Sequence, residues 1–146
     1  MEQSVSFITL GVADLASSRR FYVEALGWVP TLDLEGEVCF LQVAPGVLLV
    51  LWPTAALYAD IGSGEALGPA SAAPVAFAHN VASESEVDDA IARVAGAGGT
   101  VRKPAQRAFF GGYHGYVADP EGFTWEIAYN PSWRVDADGT VHLGDS

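Results

Sequence analysis

The sequence predicts an α+β fold made of two copies of one β-α-β-β-β unit, which together form a curved, cup-shaped mixed sheet with its helices outside. The same order of strand and helix patterns occurs twice along the chain, as expected of a duplicated unit. Equivalent positions also keep a constant offset, since Val81 lies 69 positions after Val12 and Ser83 lies 69 positions after Asp14. We expect one domain over 1–146, with repeat one at about 4–53, a linker at about 54–73, repeat two at about 74–130 and a C-terminal hairpin tail at about 131–146.

The first repeat begins with a strand over 4–12. Asp14 follows as a helix N-cap, because its carboxylate can accept hydrogen bonds from the free amides of the first helical turn. This helix is predicted to run to about Leu26 and to end at Gly27. Turn residues then separate three further strands, and the linker carries one short helix. We place these strands at 28–34, 37–43 and 47–52, and the short helix near 55–61.

The second repeat has the same order of elements. Ser83 and Glu86 form the pattern of a capping box at the start of its helix. Val87, Ile91 and Val94 give that helix the apolar stripe of a half-buried element. The run Asp119-Pro120-Glu121-Gly122 is a strong turn pattern between its last two strands. The strands of this repeat are predicted at 74–81, 100–107, 113–118 and 123–129.

Composition limits the partners of the chain. Its net charge is −11, from 18 acidic and 7 basic residues, which argues against nucleic acid and anionic membrane because phosphate groups are bound by clustered Lys and Arg. No apolar run approaches the roughly 20 residues that a membrane span needs. Cys39 is the single cysteine, so no internal disulfide can form, and its apolar strand predicts an inert core thiol. A cytoplasmic location is expected.

Two stretches carry a resemblance to a known family. The first runs from Ile8 to Leu15 and continues with Arg20-Phe21-Tyr22, and the second is the turn run 119–122 leading to Trp125-Glu126. In this order and spacing the chain resembles the vicinal oxygen chelate superfamily, which includes glyoxalase I, extradiol dioxygenases, fosfomycin-resistance enzymes and bleomycin-resistance proteins. The resemblance covers nearly the whole chain and implies a sheet that curls into a cup for a small organic molecule.

Metal-using members of that superfamily hold a divalent cation at the floor of the cup, and the resemblance assigns their ligand positions to residues of this chain. The first position falls on Phe7, its match in the second repeat falls on Ala76, and the last strand of repeat one offers only the apolar residues 48–51. Glu126 alone has oxygen donors. Because such a centre needs three or four N or O ligands, we expect no metal and no other cofactor.

Strand parity and composition suggest which side chains line the cup. The stretch 109–116 alternates four aromatic side chains and a histidine with three glycines. Aromatic faces suit planar or cationic guests, although a bent strand edge with its aromatics in the core would show the same pattern. The predicted ligand-binding residues are Phe7, Thr9, Asn80, Phe109, Phe110, Tyr113, Tyr116 and Glu126.

His114 and Glu126 are the candidates for acid–base catalysis, since histidine and glutamate side chains commonly transfer protons in enzymes. Parity places Glu126 on the cup floor, and no cation in the sequence is obviously placed to neutralise it. The carboxylate would then either bind a cationic guest or carry a proton. Alternatively, hydroxyl groups of Thr9, Tyr113 or Tyr116 would satisfy it structurally.

Two functions remain open at this point. The first is a metal-free protein, similar to the bleomycin-resistance branch, that sequesters an aromatic or cationic compound and thereby confers antibiotic resistance. The second is an enzyme of the superfamily, a lyase, isomerase or dioxygenase that uses either a metal or the Glu126 and His114 pair. The resemblance also implies a homodimer, since the family often completes its cups across a dimer.

Overall fold

The predicted α+β fold is confirmed by the computed structural model, which describes residues 3, 5–61, 75–108 and 111–143. The described elements are two four-stranded mixed sheets, three helices and a small terminal hairpin. The chain divides into two compact units. The first unit is Met1–Pro74 with Asp119–Phe123, and the second is Val75–Ala118 with Thr124–Ser146.

The first unit has the predicted order of elements, in a sheet ordered β1-β4-β3-β2. The β1 and β4 strands are parallel, and the remaining neighbours are antiparallel. The β1 strand begins at Phe7, three residues later than predicted. Phe7 pairs with Leu48, the second residue of β4, so β4 has almost no residues left to pair with an earlier part of the chain. The elements are β1 (Phe7–Val12), α1 (Leu15–Arg19), β2 (Pro30–Leu34), β3 (Val38–Ala44), β4 (Val47–Pro53) and α2 (Thr54–Ile61).

One face of this sheet forms the core of the first unit. Alternate residues of three of its strands, β1, β3 and β4, are almost completely buried, namely Leu10, Val12, Cys39, Leu41, Leu49 and Leu51. Burying each such side chain contributes about 1.5–3 kcal/mol to folding. Burial also raises the pKa of the Cys39 thiol to about 11, with a smaller contribution from the charge of Asp33. The prediction of an inert core thiol therefore agrees with its position.

Helix α1 starts at the predicted cap, where Asp14 Oδ1 accepts a hydrogen bond from the Ser17 amide at 2.8 Å. It continues directly into a π-helical segment, Arg20–Ala25, in which the Leu26 amide donates to the Phe21 carbonyl five residues earlier at 3.0 Å. The wider turn buries two consecutive rings, those of Phe21 and Tyr22. Gly27 ends the helix with a φ of 77°, a conformation that glycine adopts without steric cost.

Helix α2 confirms the short helix predicted near 55–61, and it packs on β1 and β4. Gly11 explains how it approaches so closely, because a Cβ atom there would lie 3.1 Å from Leu57 Cδ2 and 3.4 Å from Thr54 Oγ1. Gly11 alternates with the buried Leu10 and Val12, so α2 covers the opposite face of the sheet from the core.

The predicted turn at 119–122 is held by several hydrogen bonds to one buried side chain. Asp119 is buried, and its Oδ1 accepts from the Glu121 and Phe123 amides at 3.0 and 2.9 Å, while its Oδ2 accepts from the Tyr22 hydroxyl at 2.7 Å. Burial raises the pKa of Asp119, and the hydrogen bonds from Tyr22 and the turn amides act in the opposite direction.

Glu121, inside the same turn, caps the start of α1. Its two carboxylate oxygens accept from the amides of Ala13 and Asp14, each at 3.0 Å. A carboxylate at this position also interacts favourably with the positive end of the helix dipole. The turn sequence therefore contributes to the N-terminus of α1 as well as to the connection between two strands.

The second unit repeats the pattern in a sheet ordered β5-β8-β7-β6, with β5 and β8 parallel. Ser83 caps the helix by accepting from the Glu86 amide at 3.2 Å, as predicted. Helix α3 packs on β6, β7 and β8 through Val87, Ile91 and Val94. The elements are β5 (Ala76–Asn80), α3 (Glu84–Gly96), β6 (Thr100–Arg107), β7 (Tyr113–Ala118) and β8 (Thr124–Tyr129).

A two-stranded hairpin, β9 (Arg134–Val135) and β10 (Val141–His142), lies where one was predicted near the C-terminus. Val135 pairs with Val141, and Arg134 pairs with His142. Asp136 contacts both Arg134 and His142, with His142 Nε2 at 2.7 Å from its Oδ2. None of the described helices is both long and apolar enough to cross a membrane.

The buried hydrogen bond between Tyr22 and Asp119 predicts the effect of Tyr22→Phe. Removing the hydroxyl leaves Asp119 Oδ2 without that donor, so we expect a loss of about 1–3 kcal/mol in the free energy of unfolding at pH 7. The Tyr22 hydroxyl donates to the ionised carboxylate of Asp119, so its contribution to the free energy of unfolding is present above the folded-state pKa of Asp119. This contribution is lost as the pH falls through that pKa. Burial holds that pKa above the ordinary 3.8, so the loss should already be smaller near pH 4.

Tyr113→Phe is the matched control, because it removes an exposed hydroxyl that donates to Asp88 at 2.9 Å. We expect this variant to change stability by less than about 0.5 kcal/mol. Urea denaturation of both variants at pH 7 and pH 4 measures the difference. Equal losses for the two variants, or a Tyr22→Phe loss that does not depend on pH, would contradict the assignment.

Candidate functional site

The second sheet has one face covered by α3 and one face on which no described helix of this unit packs. Gly115, Val117 and Ile127 point towards α3, and the residues that alternate with them point away. We call the second side the helix-free face. The residues on it include Ala76, Ala78, Asn80, Lys103, Gln106, His114, Tyr116, Thr124, Glu126 and Ala128.

Strand register brings the two predicted catalytic residues together. Glu126 of β8 lies opposite Tyr116 of β7 and beside Ala78 of β5. His114 lies two residues from Tyr116 on the same face, and its Nδ1 is 2.5 Å from Glu126 Oε1. The histidine side chain is 11% exposed and the glutamate side chain 27%. The pair is therefore largely shielded but can still be reached at the carboxylate.

The sequence shows no cation obviously placed to neutralise Glu126 and offers hydroxyl groups of Thr9, Tyr113 or Tyr116 as alternative partners. Of these three, Tyr116 is hydrogen-bonded to Glu126 in the structure. The nearest titratable partner is His114, and its ring nitrogen makes the short contact with the carboxylate. Parity could have shown that residues 114 and 126 share a face. It could not show the register between β7 and β8, which decides whether they meet.

Lys103 reaches the helix-free face because β6 is irregular. Val101 pairs with Val117 on the α3 side, yet two residues later Lys103 pairs with Tyr116 rather than with Gly115. The bulge inserts one extra residue, which moves the lysine to the other face of the sheet. A second irregularity between Lys103 and Gln106 follows. Sequence parity alone assigns Lys103 to the α3 side, so it was missed as a site residue.

Gly115 allows the irregular β6 backbone to approach β7. A Cβ atom at this position would lie 2.6 Å from Ile91 Cδ1, 2.9 Å from the Lys103 carbonyl oxygen and 3.0 Å from the Ala105 nitrogen. Any side chain larger than hydrogen would displace the β6 backbone on one side and the Ile91 side chain of α3 on the other. Gly115 therefore helps to set the position of Lys103 and with it the composition of the site.

The Lys103 ammonium lies between two rings of the helix-free face. Its Nζ is 3.4 Å from His114 Nε2 and 5.8 Å from the centre of the Tyr116 ring. An ammonium group can only donate hydrogen bonds, so His114 Nε2 accepts and His114 Nδ1 carries the proton that it donates to Glu126. The contacts thus define one tautomer of a neutral imidazole.

Tyr116 completes the cluster. Its ring is 5.6 Å from the His114 ring in an edge-on arrangement. Burial raises the pKa of the Tyr116 phenol, and the charge of Glu126 and a hydrogen bond to Glu126 raise it further. The phenol is therefore protonated at neutral pH and can donate a hydrogen bond. Lys103, His114, Tyr116 and Glu126 together form what we call the relay cluster.

The other predicted ligand-binding residues lie in several places. Tyr113 is on the α3 side of β7, where its hydroxyl donates to Asp88, and this hydrogen bond is the main reason that the pKa of its phenol is raised. The structure does not bring it to the helix-free face. Phe109 and Phe110 lie outside the described residues.

Asn80 is on the helix-free face near the end of β5, and its Oδ1 accepts a hydrogen bond from the side-chain Nδ2 of Asn130 at 3.1 Å. Phe7 and Thr9 belong to the first unit, where both side chains are exposed. The Phe7 ring packs edge-on against Phe40 with 6.2 Å between their centres. Their role in binding stays a prediction.

The residues at the family's metal-ligand positions do not fit a metal ion. Phe7 and Ala76 offer no lone pairs, and the described part of the chain holds no group of three or more His, Cys, Asp or Glu side chains arranged to bind one. At Glu126, the only position with oxygen donors, Oε1 is in contact with a ring nitrogen. We therefore derive no chemical step through a metal.

Comparisons with known proteins agree with this architecture. The sequence profile of the Glyoxalase/Bleomycin resistance protein/Dioxygenase superfamily matches residues 4–127. The chain belongs to this superfamily. A glyoxalase-related enzyme from Fulvimarina pelagi is 42% identical with a TM-score of 0.86, and the match covers 99% of this chain and 100% of that one.

More distant members of the superfamily share the fold. A glyoxalase/bleomycin resistance protein/dioxygenase from Nocardioides is 24% identical with a TM-score of 0.70, over 88% of this chain and 84% of that one. Lactoylglutathione lyase from Agrobacterium tumefaciens is 22% identical with a TM-score of 0.65, over 88% and 95%. No curated protein matches the chain. Superfamily membership therefore establishes the architecture of the chain.

The contacts of the relay cluster predict the tautomers of the histidines. At a pH where the imidazoles are neutral, His114 should carry its proton on Nδ1, because Nδ1 faces Glu126 and Nε2 faces the Lys103 ammonium. His142 should carry its proton on Nε2, which faces Asp136. Long-range ¹H–¹⁵N correlation spectra distinguish the two forms directly.

His142 is the internal control for this measurement, since the opposite tautomer is expected from the same type of partner. In Glu126→Gln, the preference of His114 for the Nδ1 proton should weaken while the spectrum of His142 stays unchanged. A His114 ring protonated on Nε2 would contradict the geometry assigned to the relay cluster.

Proposed function

We propose that this protein binds a small aromatic compound on the helix-free face of its second sheet without using a metal. The observation that carries the proposal is the relay cluster, in which an aromatic ring, a histidine, a carboxylate and an ammonium group meet within one patch of sheet. Ala76 and Ala78, next to it, are small and exposed and leave room for a guest. Sequestration of the guest by a cytoplasmic homodimer belongs to the same proposal.

The two guest classes expected from the sequence are not equally supported. An aromatic guest is favoured by the ring of Tyr116, because aromatic pairs gain about 0.5–1.5 kcal/mol beyond the burial of their surface. A cationic guest was expected because Glu126 was thought to lie without a cationic partner. A cationic guest is less favoured in the structure, because Glu126 Oε1 already accepts from His114 Nδ1 and the Lys103 ammonium lies against the same imidazole ring.

Tyr116→Leu tests the proposal against Tyr113→Leu, which removes the same side chain from the same strand on the opposite face. Tryptophan fluorescence and thermal denaturation with a panel of planar aromatic compounds, including 2-naphthoate and acridine orange, measure binding. We expect Tyr116→Leu to weaken binding by about 1–2 kcal/mol and Tyr113→Leu to leave it unchanged. Equal effects of the two variants, or no response of the wild type to the whole panel, would overturn the proposal.

Acid–base catalysis is the second candidate, and the contact between His114 and Glu126 favours it. Glu126 accepts a hydrogen bond from His114 Nδ1 and thereby orients the ring, so that the lone pair of Nε2 faces the Lys103 ammonium at 3.4 Å. Nε2 would remove a proton from a bound molecule once that ammonium donates to the guest instead of to the ring. The similarity to a glyoxalase-related enzyme from Fulvimarina pelagi also fits an enzyme.

One incubation separates the two candidates. Compounds that bind in the panel are kept with stoichiometric protein in D₂O and recovered for NMR and mass spectrometry. A binding protein returns them unaltered, whereas an acid–base catalyst incorporates deuterium or converts them, and His114→Gln should abolish the change. Conversion that persists in His114→Gln would contradict the catalytic role of the histidine.

A further inference from the structure

Lys103 is the single lysine of the chain, and it is half-buried on the helix-free face. Among the described residues it forms no ion pair with a carboxylate, although the chain has 18 acidic residues. Arg19, Arg107 and Arg134 each contact a carboxylate. Lys103 differs from these three arginines, since it faces a histidine ring and a tyrosine ring instead.

The hydrogen-bonding capacity of the Lys103 ammonium exceeds what these neighbours can accept. The group has three N–H donors. His114 Nε2 accepts one at 3.4 Å, and the Tyr116 ring attracts the charge through its π face at 5.8 Å. Partial burial makes donors without acceptors costly. The ammonium is therefore able to donate to an acceptor outside the described chain.

Glu126, the carboxylate of this face, does not neutralise Lys103 directly. Its Oε1 is in contact with His114 Nδ1, and the imidazole ring lies between the carboxylate and the ammonium. Tyr116, which lies opposite Glu126, brings a protonated phenol to the same patch. Because the phenol is hydrogen-bonded to Glu126, the ammonium is the donor that this patch offers to a guest, beside the face of the Tyr116 ring.

We infer that Lys103 anchors an oxyanion of the guest, so that the ligand is a small aromatic acid whose carboxylate accepts from Lys103 while its ring lies against Tyr116. This inference rests on the proposed function and names its ligand class. The net charge of −11 does not oppose it at contact distance, because salt screens distant charges over roughly 8 Å at physiological ionic strength.

Three isosteric probes test the charge of the guest: benzoate is anionic, benzamide is neutral and benzamidinium is cationic. Calorimetric titration of the wild type should give the order benzoate, benzamide, benzamidinium in decreasing affinity. Lys103→Gln should weaken benzoate by roughly tenfold, the scale of a charge-assisted hydrogen bond, and leave benzamide nearly unchanged. Lys103→Arg, which keeps the charge, should retain the preference for benzoate.

Arg107→Gln is the matched control, because it removes one positive charge from the same strand at a residue that pairs with Glu84 on α3. It should leave all three affinities unchanged. Reductive methylation with ¹³C-formaldehyde supplies a second measurement in the wild-type sequence. It places ¹³C-methyl groups on Lys103, which is the only lysine side chain of the sequence. Their resonance is the one that disappears in Lys103→Gln, and benzoate should shift it in the wild type.

The outcomes separate the inference from the proposed function. Binding of benzamide or benzamidinium as tight as that of benzoate, or benzoate binding that Lys103→Gln does not weaken, would overturn the acidic ligand class and leave a binding site on this face. An absence of binding by all three probes, with no shift of the Lys103 resonance, would count against the aromatic site itself.

Discussion

The buried carboxylate of Asp119 determines the geometry of both the turn and the site. Its oxygens accept from two amides of the turn and from Tyr22, so the connection between β7 and β8 has one conformation. The conformation and length of a hairpin connection fix the register of the strands that it joins. This register places Glu126 opposite Tyr116 and within reach of His114. A slip of one residue would turn Glu126 to the side of α3.

Local chemistry explains why much of the fold could be predicted from the sequence. Asp14, Ser83 and Gly27 act through neighbours within a few residues, so their capping roles are visible in the sequence and recur in the structure. The strands predicted at 100–107 and 113–118 have the bounds observed for β6 and β7. His114 was identified as a candidate site residue by its residue type, and Glu126 by the resemblance to the superfamily and by strand parity.

Features that depend on contacts between strands could not be predicted in this way. Lys103 changes face because of a bulge, and a bulge depends on how two strands pair. Side chains alternate between the two faces along β7, so Tyr113 and Tyr116 lie on opposite faces. Applying this alternation to β7 would have removed Tyr113 from the predicted site. The partner of Glu126 required the register of β7 and β8. The errors in the site therefore concern the relations between neighbouring strands, whereas the order of strands and helices was predicted correctly.

The π-helical segment that follows α1 constrains the length of the chain between Asp14 and Gly27. Each residue of a regular helix turns the next side chain by about 100°. Deleting one residue before Tyr22 would restore regular α-helical geometry but rotate the phenol away from Asp119. Point substitutions on the exposed side of this helix leave the direction of each side chain around the helix axis unchanged. An insertion or deletion changes that direction for every later residue of the helix. Sequence variation in this segment should therefore occur by substitution at constant length.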